Sequence, residues 1–131
     1  MLVLPLDGKS QIRIRGSMIP AVSILNAEHY LWGGACDGWH LLKRADVSVI
    51  QERVPAGSAE EMHYHQTARQ FFFILEGRGT MVFKDHSVSL QKGEGLETPP
   101  GVPHQFSNLS DSDVIFLVIS VPQSHGDRIK A

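Results

Sequence analysis

The chain has 131 residues, of which 42% are hydrophobic and 20% charged, and its formal net charge is −2. That length suits one domain with a core large enough to fold without a disulfide or a structural metal, and a lone cysteine, Cys36, rules out an internal disulfide. The near-neutral charge balance argues against a nucleic-acid partner, which calls for a basic face or stripe.

Residues 1–6 are apolar, but the run is short, has no basic segment before it and meets Asp7 at once, so it does not read as a signal peptide. The longest apolar run, Val114–Val121, is far below the roughly 20 residues a membrane helix needs. Together with the single cysteine, this leads us to expect a cytoplasmic protein with no membrane partner.

Residues 11–15 alternate apolar and basic side chains like a short strand. Residues 17–30 fit a strand or a loop equally, and Trp32-Gly33-Gly34 and Asp37-Gly38 are turn signals. Residues 1–38 are therefore read as an N-terminal arm able to add one edge strand, and residues 39–131 as the domain proper. From Trp39 onward, short apolar runs are separated by turn residues every 8–12 positions. The runs cover residues 47–54, 62–65, 70–75, 80–83, 86–90, 95–98, 104–108 and 114–121. No segment of helical length in this region keeps a 3.6-residue period, so the pattern predicts an all-β barrel or sandwich.

Two of these strands, residues 70–75 and 114–121, are apolar on both faces. A strand with one wet face should alternate. A second layer must therefore cover the outside, supplied by the arm or by a second subunit, and a homodimer is expected.

His63-Tyr64-His65 places two imidazoles on one face of a strand, where both can meet one cation. Alone this is a weak signal, because two incidental polar residues give the same pattern. Gln70 opens the next strand after a four-residue loop and can face the same way. His104 lies three residues beyond the rigid turn Pro99-Pro100-Gly101. Imidazole nitrogens and an amide oxygen suit Zn, Fe, Ni, Mn or Co as a divalent ion. Four ligands from separate strands leave coordination positions open for water or substrate, as in catalytic rather than structural sites.

These residues stand at the spacing of the two cupin motifs, which the chain closely resembles. Gly57, His63, His65, Gln70 and Gly77 fit the first motif, and Gly93, Pro99, Gly101, His104 and Asn108 fit the second. The resemblance spans residues 47–121 and implies a double-stranded β-helix, or jelly-roll, cupin barrel carrying one metal on His63, His65, Gln70 and His104. The departure is Gln70, where the family usually has glutamate. A glutamine binds only through its carbonyl oxygen and adds no charge. It should weaken affinity, sharpen the Lewis acidity felt by a bound water, and remove a base that some cupin oxygenases use. Some small metal cupins that act on sugar acids look similar, with a His-His-Gln-His set.

Other residues have mainly structural readings. Gly77 and Gly79 permit a tight turn around Arg78, and Asn108 bonds backbone near the site. Phe72 and Ile74 share parity with Gln70, and Phe106 with His104, which places all three in the lumen. Trp39 and His40 are read as packing residues. The tail at residues 124–128 either folds over the barrel mouth, with Arg128 facing an anionic substrate, or is a solvated terminus.

The leading expectation is a metal-dependent enzyme on a small molecule, an isomerase, lyase or epimerase of a sugar or sugar acid with the metal as Lewis acid. The alternatives are a non-enzymatic binding or sensing module and an Fe-dependent dioxygenase. The general acid and base are not fixed by sequence: Tyr64 has the wrong parity, and Glu94 and Glu97 depend on loop geometry. A titratable group at the open side of the metal favours an enzyme, and a sealed apolar lumen favours a module.

Overall fold

The computed structural model describes residues 12–14 and 17–131, with side chains from residue 19 onward. Residues 1–6, and Gln11 and Arg15 at the ends of the first expected strand, lie outside the described residues. Thirteen strands follow one another, with no helix among the described residues. They are β1 (Ile12–Ile14), β2 (Ser17–Ile19), β3 (Glu28–Trp32), β4 (Cys36–Lys43), β5 (Ser48–Val54), β6 (His63–His65) and β7 (Arg69–Glu76). Then come β8 (Arg78–Val82), β9 (Ser87–Gln91), β10 (Gly95–Thr98), β11 (Gln105–Ser107), β12 (Val114–Val121) and β13 (Arg128–Lys130).

Two layers enclose the core. The first is a six-stranded sheet in the order β10-β7-β12-β5-β4-β3. The second joins β11-β8-β9 and the pair β13-β6 through isolated bridges at His63–His104 and Ala59–Ser107. The strand spacing led us to expect an all-β fold, and this is the jelly-roll architecture that the cupin resemblance implied. Side chains alternate faces along each strand, so Val114, Phe116, Val118 and Ser120 of β12 are buried while their neighbours are half-buried. The outer residues Phe71 and Val121 remain 40% and 51% exposed. The faces that read as doubly buried are thus a sealed inner face and a partly wet outer one.

The core centres on Phe72, Ile74, Met81, Phe106, Phe116 and Val118. Phe106 stacks on Phe116 with ring centroids 4.0 Å apart. Each such ring, fully withdrawn from water, contributes about 1.5–3 kcal/mol relative to an exposed one. Gly79 owes its place to this packing rather than to a turn. It sits inside β8, and a Cβ there would lie 2.3 Å from Phe106 Cζ. Gly77 does make the turn, with φ +79.

The arm reaches further into the fold than one loose edge. Its residues 28–32 form the edge strand β3, and β4 begins at Cys36, a core residue. Asp37-Gly38 is not a turn but lies within β4. Gly38 is needed there because the Tyr30 ring crosses it: an added Cβ would meet Tyr30 Cζ at 2.2 Å. A glycine selected for close approach looks, in sequence, like a glycine selected for a turn.

Candidate metal centre

Strand alternation buries His63 and His65 and leaves Tyr64 between them pointing the other way. On one side β13 pairs with this strand, with Arg128 opposite His65 and Lys130 opposite His63. On the other, His63 and His104 exchange both backbone hydrogen bonds, at 3.0 and 2.9 Å. Gly101 supports the approach of His104: at φ +81, its N–H donates to His65 O at 2.7 Å. Gln70 arrives from the opposite sheet, within a buried polar row of Thr98, Gln70, Ser120 and Ser48.

One nitrogen from each of His63, His65 and His104 lies within 4.8 Å of the others. The ring centroids are 5.1 Å (63–65), 4.5 Å (63–104) and 6.0 Å (65–104) apart. Two of the rings are fixed by the backbone. His63 Nδ1 donates to Glu61 O at 2.8 Å, and His104 Nδ1 donates to Val102 O at 2.9 Å. The Nε2 lone pairs are then free to bind. Burial holds the His63 imidazolium down to about 4, and it also lowers the pKa of His65 and His104, so all three rings are neutral ligands at neutral pH.

Several buried polar atoms here have no protein partner: Gln70 Oε1, His104 Nε2 and His65 Nδ1. Such orphans are costly unless something satisfies them. The Gln70 amide is oriented, since its Nε2 donates to Ser120 Oγ at 3.0 Å and leaves the carbonyl oxygen as the unused atom. Gln70 lines one cavity with His63 and His65, and an uncharged oxygen with three neutral imidazoles is a donor set that fits a divalent transition ion.

His63, His65 and Gln70 line a cavity of about 510 Å³. Phe72, Phe106, Phe116, Val118 and Ile50 form its apolar wall. Two carboxylates line it as well. Burial, then the charge of Glu60, pushes Glu52 up to about 8. Burial likewise raises Glu60 to about 7, against a hydrogen bond from the Phe106 N–H at 2.9 Å. Tyr30 and Trp32 complete that wall, and the indole Nε1–H of Trp32 is buried without a partner. At the rim stand Ser124 and Arg128. Arg128 Nη2 lies 3.3 Å from His63 Nδ1.

The tail therefore folds back beside the site. Asp127 anchors it, accepting the N–H groups of Gln66, Thr67 and Ala68 at 2.8–3.3 Å. Asn108 bonds backbone as expected, but it donates to Val54 O and Ser112 O, bracing the loop after β11. Glu94 and Glu97 take no part. Both are exposed, Glu94 accepting the Gln91 N–H and Glu97 pairing with Arg69. Trp39 and His40 pack against His29 and Tyr30. The sequence reading missed Glu52, Glu60, Tyr30 and Trp32. The available signal was Glu52's parity with Ser48, Ile50 and Val54, an acid on the inward face of a strand.

The cupin domain profile matches residues 50–120. An uncharacterized protein of Methanocaldococcus jannaschii is 33% identical over 89 residues, 67% of this chain and 71% of that protein. Among solved structures, the polyketide cyclase RemF from Streptomyces resistomycificus superposes with a TM-score of 0.76 at 18% identity, covering 87% of this chain and 86% of that one. A sugar phosphate isomerase of the cupin superfamily from Silicibacter pomeroyi gives 0.70 at 20% identity, covering 79% and 76%. With both motifs in register, the histidines gathered and more than half of the sequence matched, the chain belongs to the cupin domain family.

Proposed function

We propose that His63, His65, Gln70 and His104 hold one divalent transition ion, and that the cavity beside it is the active site of an isomerase, lyase or epimerase for a sugar or sugar acid. The observation that carries this reading is a cluster of three neutral, buried imidazoles, two of which, His63 and His65, line one open cavity with the carboxylates of Glu52 and Glu60. A module that only binds an apolar ligand has no use for Glu52 and Glu60 in its wall. When bound, the metal polarises a carbonyl or hydroxyl oxygen of the substrate. The chain's own residues would do the rest. Arg128 faces an anionic group at the rim, Trp32 donates a hydrogen bond, the phenylalanine wall excludes water, and a carboxylate moves a proton. One solved relative of this fold is a sugar phosphate isomerase, which supports the substrate class but does not identify the substrate.

The test is elemental mass spectrometry of freshly purified protein beside a His104→Ala control, followed by a turnover screen of sugar acids and sugar phosphates under the metal found. About one ion per chain, lost in the control, supports the site. A chain that takes up no divalent ion on reconstitution refutes it.

We also infer that the chain pairs with a second copy through the outer face of the six-stranded sheet. The aligned residues Phe73, Leu117, Gln51 and Trp39 form one row there, apolar except for Gln51, and Phe71, Ile119, Val49 and Leu42 form a second that is wholly apolar. Such a self-complementary face suits a twofold interface.

A further inference from the structure

The inner face of the six-stranded sheet carries a row that runs Ile74, Phe116, Glu52, Gly38, Tyr30 across five strands. Gly38 has no side chain, so the Tyr30 ring lies over it, its hydroxyl oxygen 2.4 Å from where a Cβ would stand. The phenol is thereby delivered from the edge strand towards Glu52, the next residue in the row. Both side chains line the cavity that His63 and His65 line. We propose that Glu52 is the proton-transfer residue of this cavity and that Tyr30, laid over Gly38, is the residue that positions it. The inference rests on the reading of the cavity as a sugar or sugar-acid site, and it specifies the step: proton transfer at a carbon next to a carbonyl.

The step balances without a co-reactant. The C–H bond breaks, the proton moves to the Glu52 carboxylate, and the electron pair passes through the new C=C bond to the carbonyl oxygen. The hydroxyl on the deprotonated carbon passes its proton to that oxygen, and the same carboxyl group returns the first proton, on the same face, to the former carbonyl carbon, which leaves the carbonyl one carbon along. Glu52 is suited to both directions because burial, then the charge of Glu60 in the following loop, raises its pKa to about 8, with the charge of Arg128 on β13 acting the other way. Tyr30 on β3 and Cys36 on β4 are the other titratable groups near it. Phe116 and Ile74, on its other side, are apolar. Burial and the Glu52 charge push the Tyr30 phenol upward, so it stays protonated and able to donate. Glu60 is the less suitable carboxylate, because its Oε1 already accepts the Phe106 N–H.

The experiment uses the full chain reconstituted with zinc and labelled with ¹³C at the glutamate carboxyls. The probes are D-glucuronate and D-fructose 6-phosphate. Glu52→Gln identifies the Glu52 resonance and keeps the side-chain shape, and metal content is checked in each variant. Three results are expected. The Glu52 resonance moves on probe binding. Wild type exchanges the probe's C–H next to the carbonyl for deuterium from D₂O, and Glu52→Gln slows that exchange by about 10²–10⁴-fold with probe affinity retained. Tyr30→Phe shifts the pH midpoint of exchange and of the Glu52 resonance together. Probe binding with an unmoved Glu52 resonance, probe binding without exchange, or exchange at wild-type rate in Glu52→Gln each overturns the inference and leaves the sugar reading standing. Failure of both probes to bind overturns the sugar reading and the inference with it.

Discussion

His63 and His104 face each other across a backbone bridge in which each donates its N–H to the other's carbonyl. The bridge joins the first motif to the second and sets the two rings 4.5 Å apart. The rings are therefore positioned by main chain, before any ion binds, and changing one side chain should leave the bridge intact.

His63→Ala should consequently lose most of its bound metal while keeping the fold. Elemental analysis against far-UV circular dichroism separates the two effects. Metal content equal to wild type would remove His63 from the ligand set.

Gln70 depends on Ser120 for its orientation, through a 3.0 Å hydrogen bond from Nε2. Ser120→Ala frees the amide to rotate, and metal affinity should fall by about 10–100-fold, the usual effect of losing a ligand's supporting partner. Gln70→Glu should act the other way, tightening binding by adding a charge to the site. Competition with a chromophoric chelator measures both. Weaker binding in Gln70→Glu would contradict the assignment of Gln70 as a ligand.

Asp127 accepts three consecutive backbone N–H groups from the loop between β6 and β7. These contacts also keep its carboxyl pKa below the ordinary value. Asp127→Ala should raise hydrogen exchange at Gln66, Thr67 and Ala68 and release β13 from β6. Mass-resolved exchange of the C-terminal peptide reads this directly, and unchanged protection would mean that strand pairing alone holds the tail.

The legibility of the sequence follows the range of the interactions involved. His63 and His65 could be read because strand alternation is local, and His104 because a proline–glycine turn has few conformations. Glu52 and Tyr30 could not, because their meeting depends on two successive pairings, Tyr30 with Gly38 and Gly38 with Glu52, both being in register. Gly38 and Gly79 show the same limit. Each removes a Cβ to admit a ring from another strand, and neither carries a sign of that in its neighbours.

Glu52 should make stability fall as pH rises. Its carboxyl holds a proton up to about 8 in the folded chain, against an ordinary value of 4.5. Between those limits the folded state binds more protons than the unfolded one, so the slope of stability with pH is negative. The cost of ionising it is absent below 4.5, grows across the interval and is complete above about 8. Glu60, raised to about 7, acts in the same sense, and the buried histidines act in the opposite one. The difference between wild type and Glu52→Gln isolates the effect. Urea unfolding should show the variant gaining on wild type from about pH 5 to about pH 8 and then holding level. A difference independent of pH would mean that water reaches the carboxyl freely.

The outer sheet face gives the last prediction. Leu117 stands in its middle, between Phe73 on β7 and Gln51 on β5. In a twofold pair, the same residue meets its own neighbourhood on the second copy, so a charge introduced there is placed twice and repels itself. Leu117→Lys should leave the single chain folded, because the lysine stem can lie along the apolar row with its ammonium in water. It should nonetheless shift the protein from twice the chain mass to the chain mass in light scattering after size exclusion. The metal content should stay at the wild-type level, since the histidines lie on the far side of the sheet. Wild-type protein that runs as a single chain would sink the pairing, and a dimer that persists in Leu117→Lys would move the interface to another face.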